Sequence, residues 1–377
     1  MTESKYRTLL EALKKDVLDG KYNSGSSFPS IRALVRKFGV SKNTVQHAID
    51  ELVHQDLVTR IQGRGTFVTR QGSSRKLGLI VPDIAQTEFF SLIVREISRL
   101  AQKEGYTLLF CEISSPDADC RAMAAERSAR EFVKQGVAGV ICQPIEFLKD
   151  SEQITRRILS VFDEASVPVV LCDYDFTGFP KRSAYDVVGI DNVKAGALLY
   201  EHVRSAGAKR IGFLVRPYAS QSHLDRLNGA IIANKNARGV NGNVLLPIFA
   251  HPEDSKQIRQ FVRRNKPDAI ICGNDKTVAI LKGTLDALKI DVSGKILLAG
   301  FDDATIATIM SPRLTTIHQP CDKIAEVAFY RLLERISNPS MFPESILLSG
   351  TLVERESTSR RKRKDSLGSR MPTVHRK

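Results

Sequence analysis

Lys42, Asn43, Thr44, Gln46 and His47 fall within six consecutive positions. Each ends in an ammonium, amide, hydroxyl or imidazole group, and none is a carboxylate. Side chains of these types pair with base edges and phosphate oxygens. Arg32 lies upstream, and Arg64 sits inside Gln62-Gly63-Arg64-Gly65; both add planar, multidentate donors.

The flanking residues indicate how these groups are held. Ile31, Leu34, Val35 and Phe38 recur at helical spacing, and Gly39 ends that helix because glycine accepts positive φ. Ser41 then offers a hydroxyl to cap a second helix over Ser41–Gln55. Val45, Ala48, Ile49, Leu52 and Val53 form its apolar face, so its polar N-terminal end stays outside. A leading helix over residues 4–19 supplies Leu9, Leu10, Leu13 and Val17 to pack beneath the pair. Leu57–Ile61 and Thr66–Thr69 read as two strands joined by the glycine-containing turn that carries Arg64. Two helices and a tight turn followed by a hairpin describe a winged helix-turn-helix, which presents base-reading side chains from the start of its second helix.

Residues 5–70 resemble the winged-helix domain of the GntR family of bacterial regulators. The resemblance is carried by Pro29-Ser30-Ile31-Arg32, Val40-Ser41-Lys42-Asn43-Thr44-Val45, Glu51-Leu52 and Gly63-Arg64-Gly65-Thr66-Phe67-Val68. It implies DNA contact by Arg32, by Ser41, Lys42, Asn43, Thr44, Gln46 and His47, and by the wing residues Gly63, Arg64 and Gly65. Lys42 departs from the arginine often found there, which weakens bidentate reading of guanine.

The 377-residue chain carries a formal net charge of +14, placed unevenly. Residues 1–70 hold 12 Lys/Arg against 7 Asp/Glu, and 358–377 hold 8 against 1, so the long middle is nearly neutral. Such a distribution puts nucleic-acid contact at the ends. Six cysteines are scattered without metal-ligand spacing, and Cys142, Cys172 and Cys272 sit in apolar runs. That usage suggests a reducing compartment, and with no apolar leader or spanning segment the expectation is a cytoplasmic protein.

Gln71–Lys76 is short, polar and Gly/Ser-containing, and is read as a linker. From Leu77 onward short apolar strands alternate with helical stretches. Strands are expected at Leu77–Val81, Thr107–Cys111, Gly139–Cys142, Val167–Cys172 and Val187–Ile190. A second series follows at Arg210–Val215, Val244–Phe249, Ala269–Cys272, Ile296–Ala299 and Thr315–Ile317. Near-continuous apolar strands between helices mean parallel sheets covered on both faces, and ten strands suit two similar lobes. The fold class is therefore α/β: an N-terminal winged helix-turn-helix over 1–70, a linker over 71–76, a two-lobed doubly wound body over 77–357, and a basic tail over 358–377 without apolar periodicity.

In open parallel sheets, ligands lie beyond the carboxyl ends of the strands. Phe89 and Phe90 follow the first strand and offer aromatic faces to a sugar ring. Asp173, Asn274 and Asp302 each follow a strand and can share hydroxyl hydrogens. Asp191 is read as a helix cap, His223 as a surface residue, and Arg216 and His251 as neighbours of cleft loops. The ordered set Gly78–Asp83, Phe89-Phe90, Asp173, Asp191-Asn192, Gly273-Asn274-Asp275, Gly300–Asp303, Leu314–Pro320 and Leu352–Ser357 resembles the sugar-sensing domain of LacI/GalR-type regulators, itself similar to periplasmic sugar-binding proteins. Its junction with a GntR-type reader is similar to the arabinose-repressor architecture. The resemblance implies an effector contact for Arg226.

No nucleophile elbow, P-loop or HExxH motif occurs, and no Schiff-base lysine of an aminotransferase-like domain is recognisable. Neither catalysis nor a cofactor nor a metal is expected. The reading is a repressor that binds double-stranded operator DNA as a homodimer and responds to a small sugar, with no membrane partner. A nucleobase or nucleoside effector is the alternative, and it would want aromatic faces on both sides of a base. A sugar-binding module with a vestigial reader is the third reading.

Overall fold

The computed structural model describes residues 2–18, 21–22, 26–54, 57–61, 65–68, 76–82, 88–113, 118–237, 243–292 and 295–359. The chain divides into two compact units, one through Arg75 and one from Lys76.

In the first unit, α1 (Thr2–Leu18), α2 (Ile31–Phe38) and α3 (Lys42–His54) precede an antiparallel hairpin of β1 (Val58–Ile61) and β2 (Gly65–Val68), with Val58 opposite Val68. Leu9, Leu13 and Val17 from α1 meet Leu34, Val45, Ala48, Ile49 and Leu52 from the other helices, closed off by Phe28, Val58 and Val68. Burying these apolar side chains holds three short helices that would be marginal alone. The turn between α2 and α3 has the expected chemistry. Gly39 takes φ 62° and donates its N–H to the Val35 carbonyl at 2.9 Å. Ser41 Oγ accepts from Thr44 N at 3.1 Å. One feature went unread in the sequence: Ser27 bridges Phe67, with Phe28 N donating to Thr66 O, so a short extended segment borders the hairpin.

The second unit holds two six-stranded sheets. In lobe one the order is β13 (Ser345–Leu348), β7 (Asp186–Ile190), β6 (Val169–Cys172), β5 (Gly139–Cys142), β3 (Lys76–Pro82), β4 (Thr107–Ile113), all parallel. In lobe two the order is β14 (Thr351–Val353), β12 (Thr315–His318), β11 (Leu297–Asp302), β10 (Ala269–Cys272), β8 (Arg210–Val215), β9 (Val244–Phe249), parallel apart from β14. All ten strands read from the sequence are present, because inner strands such as β5, β6 and β10 are buried on both faces and so show as unbroken Val/Ile runs. The two missed strands, β13 and β14, lie at sheet edges and alternate or half-expose their residues.

The chain passes between lobes three times: from β7 into α7 (Asn192–Ser205), from β12 into α12 (Cys321–Ser337), and from β13 into β14. α7 packs on α8 (Gln221–Ala237) in lobe two, whereas α12 packs on α4 (Glu88–Lys103) in lobe one. The lobes also touch directly. Glu88 accepts from the backbone N–H and hydroxyl of Thr305, each at 2.6 Å. Phe147 N donates to Tyr218 O at 2.9 Å.

The tail begins later than the sequence suggests. Ser357 and Thr358 are buried: Ser357 Oγ donates to Leu298 O at 2.6 Å, and Thr358 Oγ1 lies 2.7 Å from Thr315 Oγ1. Two neutral hydroxyls just before a basic run gave no sign of this docking. The run from Arg360 to Lys364 lies outside the described residues.

Candidate functional sites

On the first unit, Arg32, Lys42, Asn43 and His47 are exposed at the N-terminal ends of α2 and α3. Arg32, Lys42 and Gly65 line one groove with Arg36, Pro29 and Thr66, with a volume of about 870 Å³. Arg36 was not singled out, although it follows Arg32 by one helical turn and shares its face. Gly65 takes φ 114°, which other residues rarely adopt, so the strand after the turn starts as a glycine permits. Gly63 and Arg64 lie outside the described residues. Not every polar residue at the start of α3 is free for a partner. Ser41 and Thr44 share a hydroxyl contact at 2.8 Å that caps the helix. Gln46 donates to Asp50 at 3.2 Å, and Asp50 pairs with Arg60 of β1 at 2.7 Å. Lys42, Asn43 and His47 remain as the side chains standing in solvent.

In the second unit, the carboxyl ends of both sheets bring charged groups together. Arg226 is only 2% exposed. Its Nε donates to Asn192 Oδ1 at 2.8 Å, its Nη1 to Gly273 O at 2.6 Å, and its plane lies 4.7 Å from the Phe301 ring centre. Two glycines permit this. A Cβ at Gly196 would strike the Arg226 carbonyl, and one at Gly229 would strike the Val193 carbonyl, so α7 and α8 cross closely enough to align Asn192 with Arg226.

Asp302 Oδ1 lies 3.8 Å from Arg226 Nη1 and accepts from Gln319 Nε2 at 2.8 Å. Burial raises its carboxyl to about 6, against the opposing pull of Arg226. From lobe one comes Asp173, at φ 82°, raised by burial to about 6 and likewise opposed by Arg226. Glu146, after β5, was missed by the sequence reading. Burial first, then the charge of Asp173, pushes it up to about 7. Ser220 lies near Glu146 and Ser222 near Asp173, and the two serine hydroxyls are 2.9 Å apart. Two carboxyl groups of lobe one thus gather around a serine pair of lobe two. Glu146 follows an ordinary Gln-Pro-Ile sequence, so only the topology reveals it.

Several expected residues fall elsewhere. Asn274 caps α10 (Asp275–Ala287), its oxygen accepting from Thr277 N at 2.9 Å and Thr277 Oγ1 at 2.6 Å. Phe89 and Phe90 are buried at the start of α4, edge-to-face with ring centres 4.7 Å apart. They face each other and do not form two walls around a flat base. His223 is not a surface residue: it is buried against Phe147 and Gly273, and burial followed by the charges of Arg226 and Arg216 holds its ring well below the usual value. Its helix face read as polar because its polar neighbours also point into the cleft. Arg216 stacks on Phe147 across the lobes at 4.5 Å. His251 is exposed and faces Glu253. Asp191 caps α7 through Lys194 N at 2.8 Å, and Asp303 pairs with Arg355 at 2.6 Å.

A winged helix-turn-helix with an exposed polar helix face on one unit and a two-lobed polar cleft on the other are the parts of a DNA-binding regulator with an attached sensor. Residues 5–68 match the bacterial regulatory proteins of the gntR family, and residues 200–358 match the periplasmic binding protein-like domain. The arabinose metabolism transcriptional repressor of Geobacillus stearothermophilus is 25% identical over 370 residues, covering 95% of this chain and 98% of that protein. The ribose operon repressor of Escherichia coli (strain K12) is 25% identical over 344 residues, covering 87% and 99%. Among solved structures, the transcriptional regulator CelR in its cellobiose complex shares the fold, with a TM-score of 0.63 and 21% identity over 84% of this chain and 91% of that one. This chain joins a helix-turn-helix domain that matches the gntR family to a domain that matches the periplasmic binding protein-like one.

Proposed function

We propose that the protein is a transcriptional repressor whose grip on an operator is set by a small carbohydrate held between the lobes of its second unit. The observation that carries this reading is the convergence of Asp173 and Glu146 from one sheet with Arg226 and Asp302 from the other. Four residues separated widely in sequence meet where lobe closure can sense a ligand. The names of the relatives, repressors of arabinose metabolism and of the ribose operon, support a sugar as the effector.

The protein acts as a homodimer, so two readers meet the two halves of a pseudo-palindromic site. Lys42, Asn43 and His47 enter the major groove, while Arg32 and Arg36 hold phosphates. Sugar binding favours one separation of the lobes, and the operator favours another. A coupling of about 1–3 kcal/mol changes operator affinity by roughly 5–150-fold.

The test is a mobility shift on the DNA upstream of the protein's own coding sequence, with and without pooled free sugars. Retarded DNA released by one pool is the expected outcome. Retardation that no sugar alters would sink the sensor half of the proposal, and absence of retardation would sink the reader half.

A further inference from the structure

One helix on the surface of lobe two, α9 (Ser255–Asn265), arranges its charges unlike its counterparts. Elsewhere an exposed cation stands three or four residues from an acid that pairs with it: Arg99 with Glu96 on α4, Arg130 with Glu126 on α5 (Ala118–Lys134), and Lys323 with Glu326 on α12. The sequence of α9 contains no acid. Lys256, Arg259, Arg263 and Arg264 are exposed along it, and exposed Lys266 closes it. None of the five is in an ion pair among the described residues. The near-neutral charge of the body hides this stripe, because acids elsewhere balance it.

The stripe lies opposite the core-facing side, where Ile258 and Phe261 are buried. Lys256, Arg259 and Arg263 follow one another at spacings of three and four residues, so they share one face and repel. The helix dipole favours the basic residues of the last turn, Arg263 and Arg264, but opposes a cation in the first turn such as Lys256. The acids nearest in sequence are engaged elsewhere. Glu253 faces His251, and Asp254 caps the helix by accepting from the N–H groups of Lys256 and Gln257, each at 3.0 Å. Asp268 accepts from the N–H groups of Lys209 and Arg210. Arg210 Nε in turn donates to Asn265 O at 2.6 Å, which adds another exposed guanidinium at the end of the helix.

The remaining exposed residues of α9 decide the kind of partner. They are Ser255, Gln257 and Gln260, with hydroxyl and amide groups and no apolar side chain. A protein partner would want an aromatic or aliphatic anchor on this face, and a membrane would want an apolar surface to bury. A single strand of nucleic acid would want aromatic rings for its bases. Cations flanked by hydroxyls and amides match the phosphate oxygens of a duplex, whose negative charge relieves the repulsion along the stripe.

We infer that α9 is a second contact for the phosphate backbone of double-stranded DNA, independent of base sequence and separate from the reader. This goes beyond the proposed function, which draws its DNA contacts from the first unit, and it requires neither an operator nor an effector.

The experiment is a set of anisotropy titrations of the full-length protein on a duplex without operator sequence, from about 50 to 200 mM salt. Wild type is compared with Lys256→Ala/Arg259→Ala/Arg263→Ala and with Arg99→Ala/Arg130→Ala/Lys323→Ala, which removes the same charge from paired positions. The reader and the basic tail are the same in all three proteins. The α9 variant should lose about 2–3 from the salt slope and bind at least about tenfold more weakly at the lowest salt, while the control variant keeps most of the wild-type slope. Arg259→Lys/Arg263→Lys keeps the charge and should keep the slope, which a loss of fold would not do. An unchanged slope in the α9 variant, an equal loss in the control variant, or a wild type that binds no such duplex overturns the inference. Failure to retard an operator in the mobility shift above would fault the reader alone, since this comparison uses no operator.

Discussion

Lys42, Asn43 and His47 stand in solvent on the reader, whereas Asp173, Arg226 and Gln319 in the sensor are each no more than 8% exposed. Under the proposed function the reader meets a large, highly charged partner, so its groups stay hydrated until contact and cost little while waiting. The sensor, on the same proposal, encloses a small ligand, and its groups are already desolvated and hold one another in place. Polar side chains thus serve opposite ends: exposed groups tune affinity and salt dependence, and buried ones join ligand recognition to the stability of the fold. Substitutions in the two regions should differ accordingly.

The largest effect is expected for Arg226→Ala. It strands Asp302, Asp173 and Glu146 without their nearby cation and removes the bonds to Asn192 and Gly273. Breaking a buried charge network in this way costs about 3–5 kcal/mol. Urea unfolding should show the second unit destabilised by that amount and the first unchanged. Equal loss in both units would break the comparison. Leu52→Ala reverses the test, since Leu52 is fully buried in the core of the first unit. Its loss costs about 2–5 kcal/mol there, and DNA binding should fail while calorimetry still detects sugar binding.

Next in size is a pH effect on the sensor. Glu146 sits at about 7, above its ordinary value, so the folded chain holds that proton more firmly than the unfolded one. Its contribution to stability is complete below the unfolded value near 4.5 and is lost as pH rises through about 7. Glu146→Gln should therefore gain stability over wild type across that window, by about 1–3 kcal/mol, and match it near pH 4. Taking the difference between the two proteins cancels His223, whose depressed value acts in the opposite direction. A difference that is flat from pH 4 to 8 would remove Glu146 from the cleft's electrostatics.

On the reader, Asn43→Ala should cost about 1–3 kcal/mol on the operator and little on unrelated duplex, as loss of a base contact does. Lys42→Ala should weaken both alike and lower the salt slope by about 1. Anisotropy titrations at several salt concentrations separate the two. The smallest effect is expected for Asp50→Ala. Its pair with Arg60 is exposed on both sides, and losing it should cost under about 1 kcal/mol in unfolding.

The sequence disclosed some of these features and hid others for physical reasons. The helix-turn-helix was legible because the Gly39 turn, the Ser41 cap and the apolar spacing around Leu34 and Leu52 are local signals. Inner strands such as β6 and β10 were legible because burial on both faces leaves an unbroken apolar run. The edge strands β13 and β14 lack that run. In the cleft, Asp173 and Asp302 could be proposed from their places after strands and Arg226 from the family resemblance, whereas Glu146 carries no local mark and Gln319 entered only within the stretch Leu314–Pro320. Their roles depend on which loops the two sheets bring together. Asn274 carries a second role the sequence did not separate: an amide after a strand is as well suited to capping the next helix, as its oxygen does here, as to meeting a ligand.

The central claim is that the cleft and the reader share one equilibrium, and linkage makes it measurable from either side. The affinity of the full-length protein for its sugar, titrated by calorimetry with and without saturating operator DNA, should differ by roughly 5–150-fold, and operator affinity with and without sugar should shift by the same factor. Tight binding of both ligands with a ratio of one in each direction would contradict the account.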